Sequence, residues 1–430
     1  MSHVFARGAD LPRAVAATGC WITDDGGRSY LDAAGGAIVN GIGHGRREVI
    51  EAISAQLATV DYVHPTAFSS AVGEEYANEL ARVVPVDDPR VYPVSGGSEA
   101  TETALKLARA YHLSRGESSR TVVIGRLGSY HGNTLGALDI SGRHSLRAAY
   151  LPWLGRFESG PWVHEYRCPN PHHPDRCGGW HADQFESMIE RIGPHRVAAF
   201  IGEAVGGASL GAAVPAPDYW PAIAEVCRRH GVLLIVDEVM SGFGRTGRWF
   251  GIDHWGVRPD VMVCAKGASS GYWPLGLCIA RAGVAETAMG FFTHGFTYSH
   301  HPAGAAAGLA VLRILRDEGL VERSATTGRR LLDALATIES PLIGDVRGLG
   351  MMLGVEFVED VAERRPFPRT ARLAERVRAA TFAAGLLTYP VTGCADGIEG
   401  DGLMMGPPLV LSESECDQLI SRLGTALTRV

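Results

Sequence analysis

The chain has 430 residues, 46% of them hydrophobic, with 54 glycines and a formal net charge of −7. That length allows one large core plus a smaller lobe, and the composition suits a compact α/β enzyme better than a disordered or fibrous chain. The negative balance argues against nucleic acid or an anionic membrane as the main partner, and no apolar run reaches the length of a membrane span.

At the N-terminus Arg7, Asp10 and Arg13 interrupt any apolar core, so no secretory signal is expected. Strand-like pieces follow, broken at Asp24-Asp25-Gly26-Gly27, then a Gly-rich stretch from Gly35 to Gly45 and an amphipathic helix near residues 47–57. From about 66 to 315, helical patterns alternate with the β-branched runs 121–124, 197–201, 232–236 and 261–263. This alternation predicts a mostly parallel sheet covered on both faces. Beyond 316, a long helical stretch, a hairpin-like segment from Val346 to Val358, another helix and a final strand–helix pair predict an α+β lobe. The expected division is 1–65 as the N-terminal part of a small lobe, 66–315 as a large domain and 316–430 as the C-terminal small domain. Eight cysteines in a chain of this length are no disulfide framework. Cys227, Cys264 and Cys278 fall in elements predicted to be buried, and a reducing cytoplasm is the expected location.

Functional groups on such sheets gather at the carboxyl ends of the strands. Pro93-Val-Ser-Gly-Gly-Ser98 leads into a predicted helix over 99–112 with Ala100, Ala104, Leu107, Ala108 and Tyr111 on one face. A Gly-Gly-Ser turn at a helix start offers N–H groups, a hydroxyl and the positive dipole end to a phosphate, although alone it reads more readily as an ordinary N-cap. Four further strand ends carry Tyr130-His131, Glu203, Asp237-Glu238 and Lys266. Lys106 and Lys266 are the only lysines among 40 basic residues. Arginine can replace lysine as a surface charge but cannot be deprotonated to serve as an amine nucleophile. Lys266 closes the apolar run 261–265, whereas Lys106 reads as a solvated helix residue.

Together Ser95-Gly-Gly-Ser-Glu-Ala100, Ser129-Tyr-His-Gly132, Asp237-Glu-Val239, Gly242-Phe-Gly-Arg-Thr-Gly247, Lys266-Gly267 and His294-Gly-Phe-Thr-Tyr298 before His301-Pro302 resemble a class-III aminotransferase. That is a fold type I enzyme dependent on pyridoxal 5′-phosphate. The resemblance runs in order over nearly the whole chain. It implies an α/β fold with a mostly parallel sheet in the large domain and a smaller α+β lobe from the N- and C-terminal segments. It further implies that Lys266 forms the internal aldimine and then shuttles a proton between the substrate and cofactor carbons. By the same resemblance Asp237 pairs with the pyridinium nitrogen, Tyr130 stacks on one ring face and Val239 packs on the other. Gly97 and Ser98 hold the phosphate, Glu203 lies near the ring oxygen, and His131 belongs to the cofactor-binding set. Thr297 resembles the residue that completes the phosphate site of the partner subunit, which implies a homodimer with shared sites. The implied reaction moves an amino group between an amine or amino acid donor and a keto acid or aldehyde in ping-pong half reactions. An aminomutase, epimerase or decarboxylase on the same cofactor stays open.

Other patterns are weaker. The run 232–238 also suits a Walker B strand, but neither lysine lies in a phosphate-binding loop. Cys168, His172, His173 and Cys177 match no common zinc spacing, and three prolines interrupt them; a surface loop without metal is expected. Arg245 is expected to touch either a substrate or a neighbouring carboxylate. Between Thr388 and Val410 there is no Arg or Lys, while Asp396, Glu399 and Asp401 cluster there. Either this is a solvated loop, or the substrate meets no carboxylate-clamping arginine from this segment. His300 stands where the family usually has glycine before His-Pro, a change expected near the cofactor phosphate.

Overall fold

The computed structural model describes residues 3, 5, 11–155 and 157–430; Arg7 and Asp10 lie outside them. Its centre is a seven-stranded sheet of β1 (Pro89–Val94), β2 (Val122–Arg126), β3 (Glu158–Gly160), β4 (Val197–Glu203), β5 (Leu233–Asp237), β6 (Val261–Cys264) and β7 (Gly276–Arg281). The spatial order is β1-β7-β6-β5-β4-β2-β3. Strands β3, β2, β4, β5 and β6 run parallel, and β7 is antiparallel to both β6 and β1. All residues of β4, β5 and β6 are buried. Strands covered on both faces become continuous apolar runs, which is why these, like the equally buried β2, were visible in the sequence.

Successive side chains point to opposite faces. Ala199, Ile201, Leu233 and Ile235 pack on one face with Ala100, Ala104, Leu107 and Ala108 of α1 (Gly97–Ser114). Phe200, Leu234 and Val236 join the other face, with Phe185 of α2 (Cys177–Ile192) and Trp220 and Ile223 of α3 (Tyr219–His230).

The flanking lobe is built from both ends of the chain. The antiparallel strands Ala14–Thr18, Trp21–Asp24 and Ser29–Asp32 are extended by Leu386–Leu387, which pairs parallel to Leu31–Asp32. The expected hairpin is present as Ile343–Leu349 against Met352–Asp360, continued by Asp401–Met405 and Tyr389–Thr392. All eight cysteines are free, with Cys227, Cys264 and Cys278 buried. Among the described residues no helix is long and apolar enough to cross a membrane.

A buried charge cluster ties this lobe to the segment after β3. Fully buried Glu356 accepts hydrogen bonds from His164 Nε2 (3.1 Å), Arg167 Nε (2.5 Å) and Arg347 Nη1 (2.9 Å). Burial alone would raise its carboxyl, but the His164 bond and the charges of Arg347, His164 and Arg167 outweigh it and hold the group down at about 2. A carboxylate whose folded value is depressed stabilises the native state above its unfolded value of about 4.3, and that contribution fades as pH falls towards the folded value. Breaking a buried pair costs about 3–5 kcal/mol. Glu356→Gln is therefore expected to lower the urea-unfolding free energy by about 3 kcal/mol at pH 7. The gap from wild type should narrow as pH drops from about 4 towards 2.

Candidate active site

The hydrogen-bond register of the sheet brings the predicted residues together. Glu203 and Asp237 are paired across the parallel strands β4 and β5, and Asp237 is paired with Val263 on β6. Three adjacent strand ends thus present Glu203, Asp237 and, one residue beyond Ala265, Lys266. The loop after β2 contributes Tyr130, His131 and Gly132, and the start of α1 contributes Gly97 and Ser98. All of these line one cavity of about 170 Å³, together with Val205, Val239, Met240, Ser241 and Ala265.

Asp237 is only 3% exposed. His131 Nδ1 donates to its Oδ2 at 2.6 Å, and the Val239 N–H donates to Oδ1 at 2.9 Å. His131 is itself fixed at its backbone: its N–H donates to Ser141 Oγ (2.8 Å) and its carbonyl accepts from Thr101 Oγ1 (2.8 Å). Glu203 accepts from the backbone N–H groups of Gly207 (3.0 Å) and Tyr130 (3.3 Å). Burial raises the Glu203 carboxyl, opposed by His131 and reinforced by Asp237.

Lys266 sits in the left-handed region at φ +42°, a conformation costing a non-glycine residue roughly 1–2 kcal/mol. Such strain persists where surroundings over-determine it, typically at functional sites. Burial pushes its amine down to about 8, while the Asp237 and Glu203 carboxylates pull the other way. A neutral amine is the nucleophilic form. Capture of a pyridoxal aldehyde by the empty protein should therefore accelerate as pH rises towards 8 and level off above it. Stopped-flow absorbance against pH measures this directly.

At the other end of the cavity, two glycines lie close against neighbouring side chains. A Cβ on Gly97 would lie 3.2 Å from Val239 Cγ1, and one on Gly132 would fall within 2.5 Å of Ser98 Oγ. Ser98 Oγ accepts from the Asn133 N–H at 3.0 Å. The 18-residue α1 thus opens its positive end and first N–H groups towards the cavity, the arrangement that favours a phosphate.

The class-III aminotransferase profile matches residues 5–427. The putrescine–pyruvate aminotransferase of Pseudomonas aeruginosa is 36% identical over 415 residues, spanning 94% of this chain and 88% of that one. The chain belongs to the class-III aminotransferases. The solved (S)-enantioselective omega-transaminase from Thermomicrobium roseum matches with a TM-score of 0.94 and 38% identity, covering 100% of this aminotransferase and 96% of that chain. An amine transaminase from an uncultivated Pseudomonas species, solved in its PLP-bound form, matches with a TM-score of 0.91 and 33% identity over 100% and 98% of the two chains.

Class-III aminotransferases use pyridoxal 5′-phosphate, and the residues of this aminotransferase's cavity fit that group. Among the described residues the one ion-pair partner of Asp237 is His131, so a buried carboxylate on the cavity wall is available to a cationic ring nitrogen. The glycine-lined start of α1 suits the phosphate, and the depressed Lys266 amine suits the carbonyl.

Thr297 does not line this cavity. It is exposed, and its carbonyl accepts from Tyr62 Oη at 2.8 Å. Lys106 is exposed, as expected. Arg245 feels the carboxylate of Asp32, but its hydrogen bonds go to the main chain. It is buried and donates to three main-chain carbonyls, those of Met351 (3.1 Å), Pro407 (2.6 Å) and Asn40 (3.0 Å). It clasps the flanking lobe to the sheet, and burial pushes its guanidinium down to about 10. The acidic residues after Thr388 are turned inward in part. Asp401 is fully buried and accepts from the Ala374 N–H (3.0 Å), while Glu399 accepts from the Arg369 N–H. His300 borders a second cavity, of about 520 Å³, with Phe68, Tyr92 and Met289.

Several contributors escaped the sequence reading, and Glu238, seen there as a strand end, had no role assigned. Arg126, buried at the end of β2, donates from Nη2 to the Glu203 carbonyl (2.6 Å) and lies 5.5 Å from the Trp220 ring. A lone arginine closing an apolar strand was its available signal. Glu238 anchors the following loop, accepting from Ser241 Oγ (2.6 Å) and the Ile252 and Gly251 N–H groups (2.7 and 2.8 Å). Burial pushes its carboxyl up to about 7 against those donors. Val205, Met240 and Ser241 reach the cavity from turns and carried no sequence signal.

Proposed function

We propose that this aminotransferase takes the amino group of a primary amine and passes it to a keto acid or aldehyde, with Lys266, Asp237 and Tyr130 as its catalytic residues. One observation carries the reading: the amine of Lys266 and the carboxylates of Asp237 and Glu203 converge on one cavity at the carboxyl edge of the sheet. When bound, the cofactor supplies an electron sink for the charge left as a proton departs from carbon. Lys266 Nζ would hold and move the proton taken from the donor carbon once the cofactor is bound, a positioned transfer worth about 10²–10⁴-fold. Asp237, oriented by His131 and the Val239 amide, keeps the ring nitrogen protonated, because an adjacent carboxylate favours the charged form. Tyr130 and Val239 would hold the ring, and Gly97 and Ser98 would hold the phosphate. Glu203 sits beside Asp237 and braces the Tyr130 loop through the Tyr130 amide.

The preference for an amine rests on charge. Apart from Lys266, no Arg or Lys is among the cavity-lining residues, and none occurs between Thr388 and Val410. Nothing in either set offers the bidentate cation that an α-carboxylate calls for. Mixing the holoenzyme with a panel of primary amines and α-amino acids and following conversion to the pyridoxamine form tests this. Amines are expected to convert it faster. α-Amino acids converting it faster would overturn the donor assignment. Turnover of an amino acid without any pyridoxamine form would instead favour a mutase or epimerase.

The same proposal includes a homodimer with shared sites, a cytoplasmic location and the division 1–65, 66–315 and 316–430. The exposed apolar residues Phe68, Met289, Phe291 and Tyr298 flank Thr297 and the second cavity, a face suited to a second copy that receives Thr297 at its phosphate site. Light scattering on the active enzyme should give twice the chain mass; an active monomer would contradict it. Eight free cysteines suit a reducing compartment, and the pairing of Leu386–Leu387 with Leu31–Asp32 supports joining the terminal segments in one lobe.

A further inference from the structure

We propose that Cys168, His173 and Cys177 form a structural transition-metal site, with zinc as the expected ion and the Glu165 carboxylate as its fourth ligand. Read along the sequence, this stretch is a surface loop; in space it folds back on itself. Cys168 Sγ lies 3.5 Å from Cys177 Sγ, and His173 Nδ1 lies 3.1 Å from Cys177 Sγ. The three ligand atoms all fall within 4.8 Å of one another. A tetrahedral zinc with Zn–S of about 2.3 Å and Zn–N of about 2.0–2.1 Å needs sulfur–sulfur and sulfur–nitrogen separations of roughly 3.8 and 3.5 Å. The Cys168–Cys177 and His173–Cys177 pairs need to open by only a few tenths of an ångström to reach that geometry.

Two further observations point to a cation. Glu165 Oε1 is buried without a hydrogen-bond partner, and Oε2 lies 3.9 Å from His173 Nδ1. Asn170, itself buried, donates from Nδ2 to Cys177 Sγ (3.5 Å) and to the Asp175 carbonyl (2.8 Å). Outer hydrogen bonds of this kind hold metal-bound thiolates in place. A disulfide would engage only the two sulfurs and leave His173 Nδ1 and the Glu165 oxygen without a purpose.

None of these residues lines the Lys266 cavity, so the ion would act on the fold. Cys177 is the first residue of α2, and Cys168 follows the short turn Glu165–Arg167, whose Arg167 is tied to Glu356. A metal there pins the 168–177 loop between two fixed elements, and its binding free energy becomes folding free energy.

The test uses the holoenzyme purified without chelator. Elemental analysis should find about one zinc per chain. Protein produced in cobalt medium should show the visible bands of tetrahedral thiolate-bound Co(II), at longer wavelengths than the cofactor absorbs. His173→Ala and Cys177→Ser should each lose the metal and the cobalt bands while keeping the cofactor spectrum. Wild-type protein that takes up no metal from added zinc, with both thiols reacting freely or an intact mass showing an internal disulfide, would overturn the proposal. So would a zinc that persists in a Cys168→Ser/Cys177→Ser double variant.

Discussion

Lys266→Arg is expected to abolish turnover, by at least about 10⁴-fold, the top of the range for losing a positioned proton transfer, because the covalent role is lost with it. The guanidinium keeps its proton at any pH the protein survives, so it can neither condense with a carbonyl nor act as base. The charge next to Asp237 and Glu203 is preserved, so the chain should stay folded. Lys266→Ala serves as a second variant in case the larger side chain crowds the cavity. Steady-state kinetics and the cofactor absorption band read the loss, and circular dichroism checks the fold. Retention of both the shifted chromophore and turnover in Lys266→Arg would remove residue 266 from the mechanism.

Asp237→Asn should cost nearly as much while keeping shape. Asparagine can still accept from the Val239 N–H, but it cannot balance a protonated ring nitrogen. Leaving a buried charge unmatched costs about 3–5 kcal/mol, and each 1.36 kcal/mol is a factor of ten in rate. A fall in kcat/KM of about 10²–10⁴-fold follows. The same pairing predicts a second effect: the wild-type holoenzyme melts above the apoenzyme, and Asp237→Asn shrinks that gap. Equal melting of the wild-type apo and holo forms would count against Asp237 as the ring partner.

How much of this was readable in advance follows from where each signal resides. Strands β4, β5 and β6 are buried on both faces, so they appear as apolar runs, and the polar residue closing each run marks the rim where chemistry occurs. That logic located Glu203, Asp237 and Lys266. Strand β1 escaped it because Pro89 and Pro93 break its pattern and β3 because it has only three residues, while β7, seen only as a buried element around Cys278, gave no sign of its antiparallel direction. The hydrogen bonds of Arg245 were hidden for a different reason. Its partners are the carbonyls of Asn40, Met351 and Pro407, and every residue has a carbonyl, so no side chain announces the contact. His131 was visible as a neighbour of Tyr130, but its task of orienting Asp237 appears only when the loop after β2 is laid over the end of β5. Cys168, His173 and Cys177 are brought within 4.8 Å of one another only by the path of their loop, which their sequence spacing does not state.

The most direct measurement is borohydride reduction of the cofactor-loaded protein followed by peptide mapping and mass determination. The account predicts one stable adduct per chain, with the mass of reduced pyridoxal phosphate, on the peptide containing Lys266. An adduct on Lys106, at the amino terminus or on no peptide at all would contradict it.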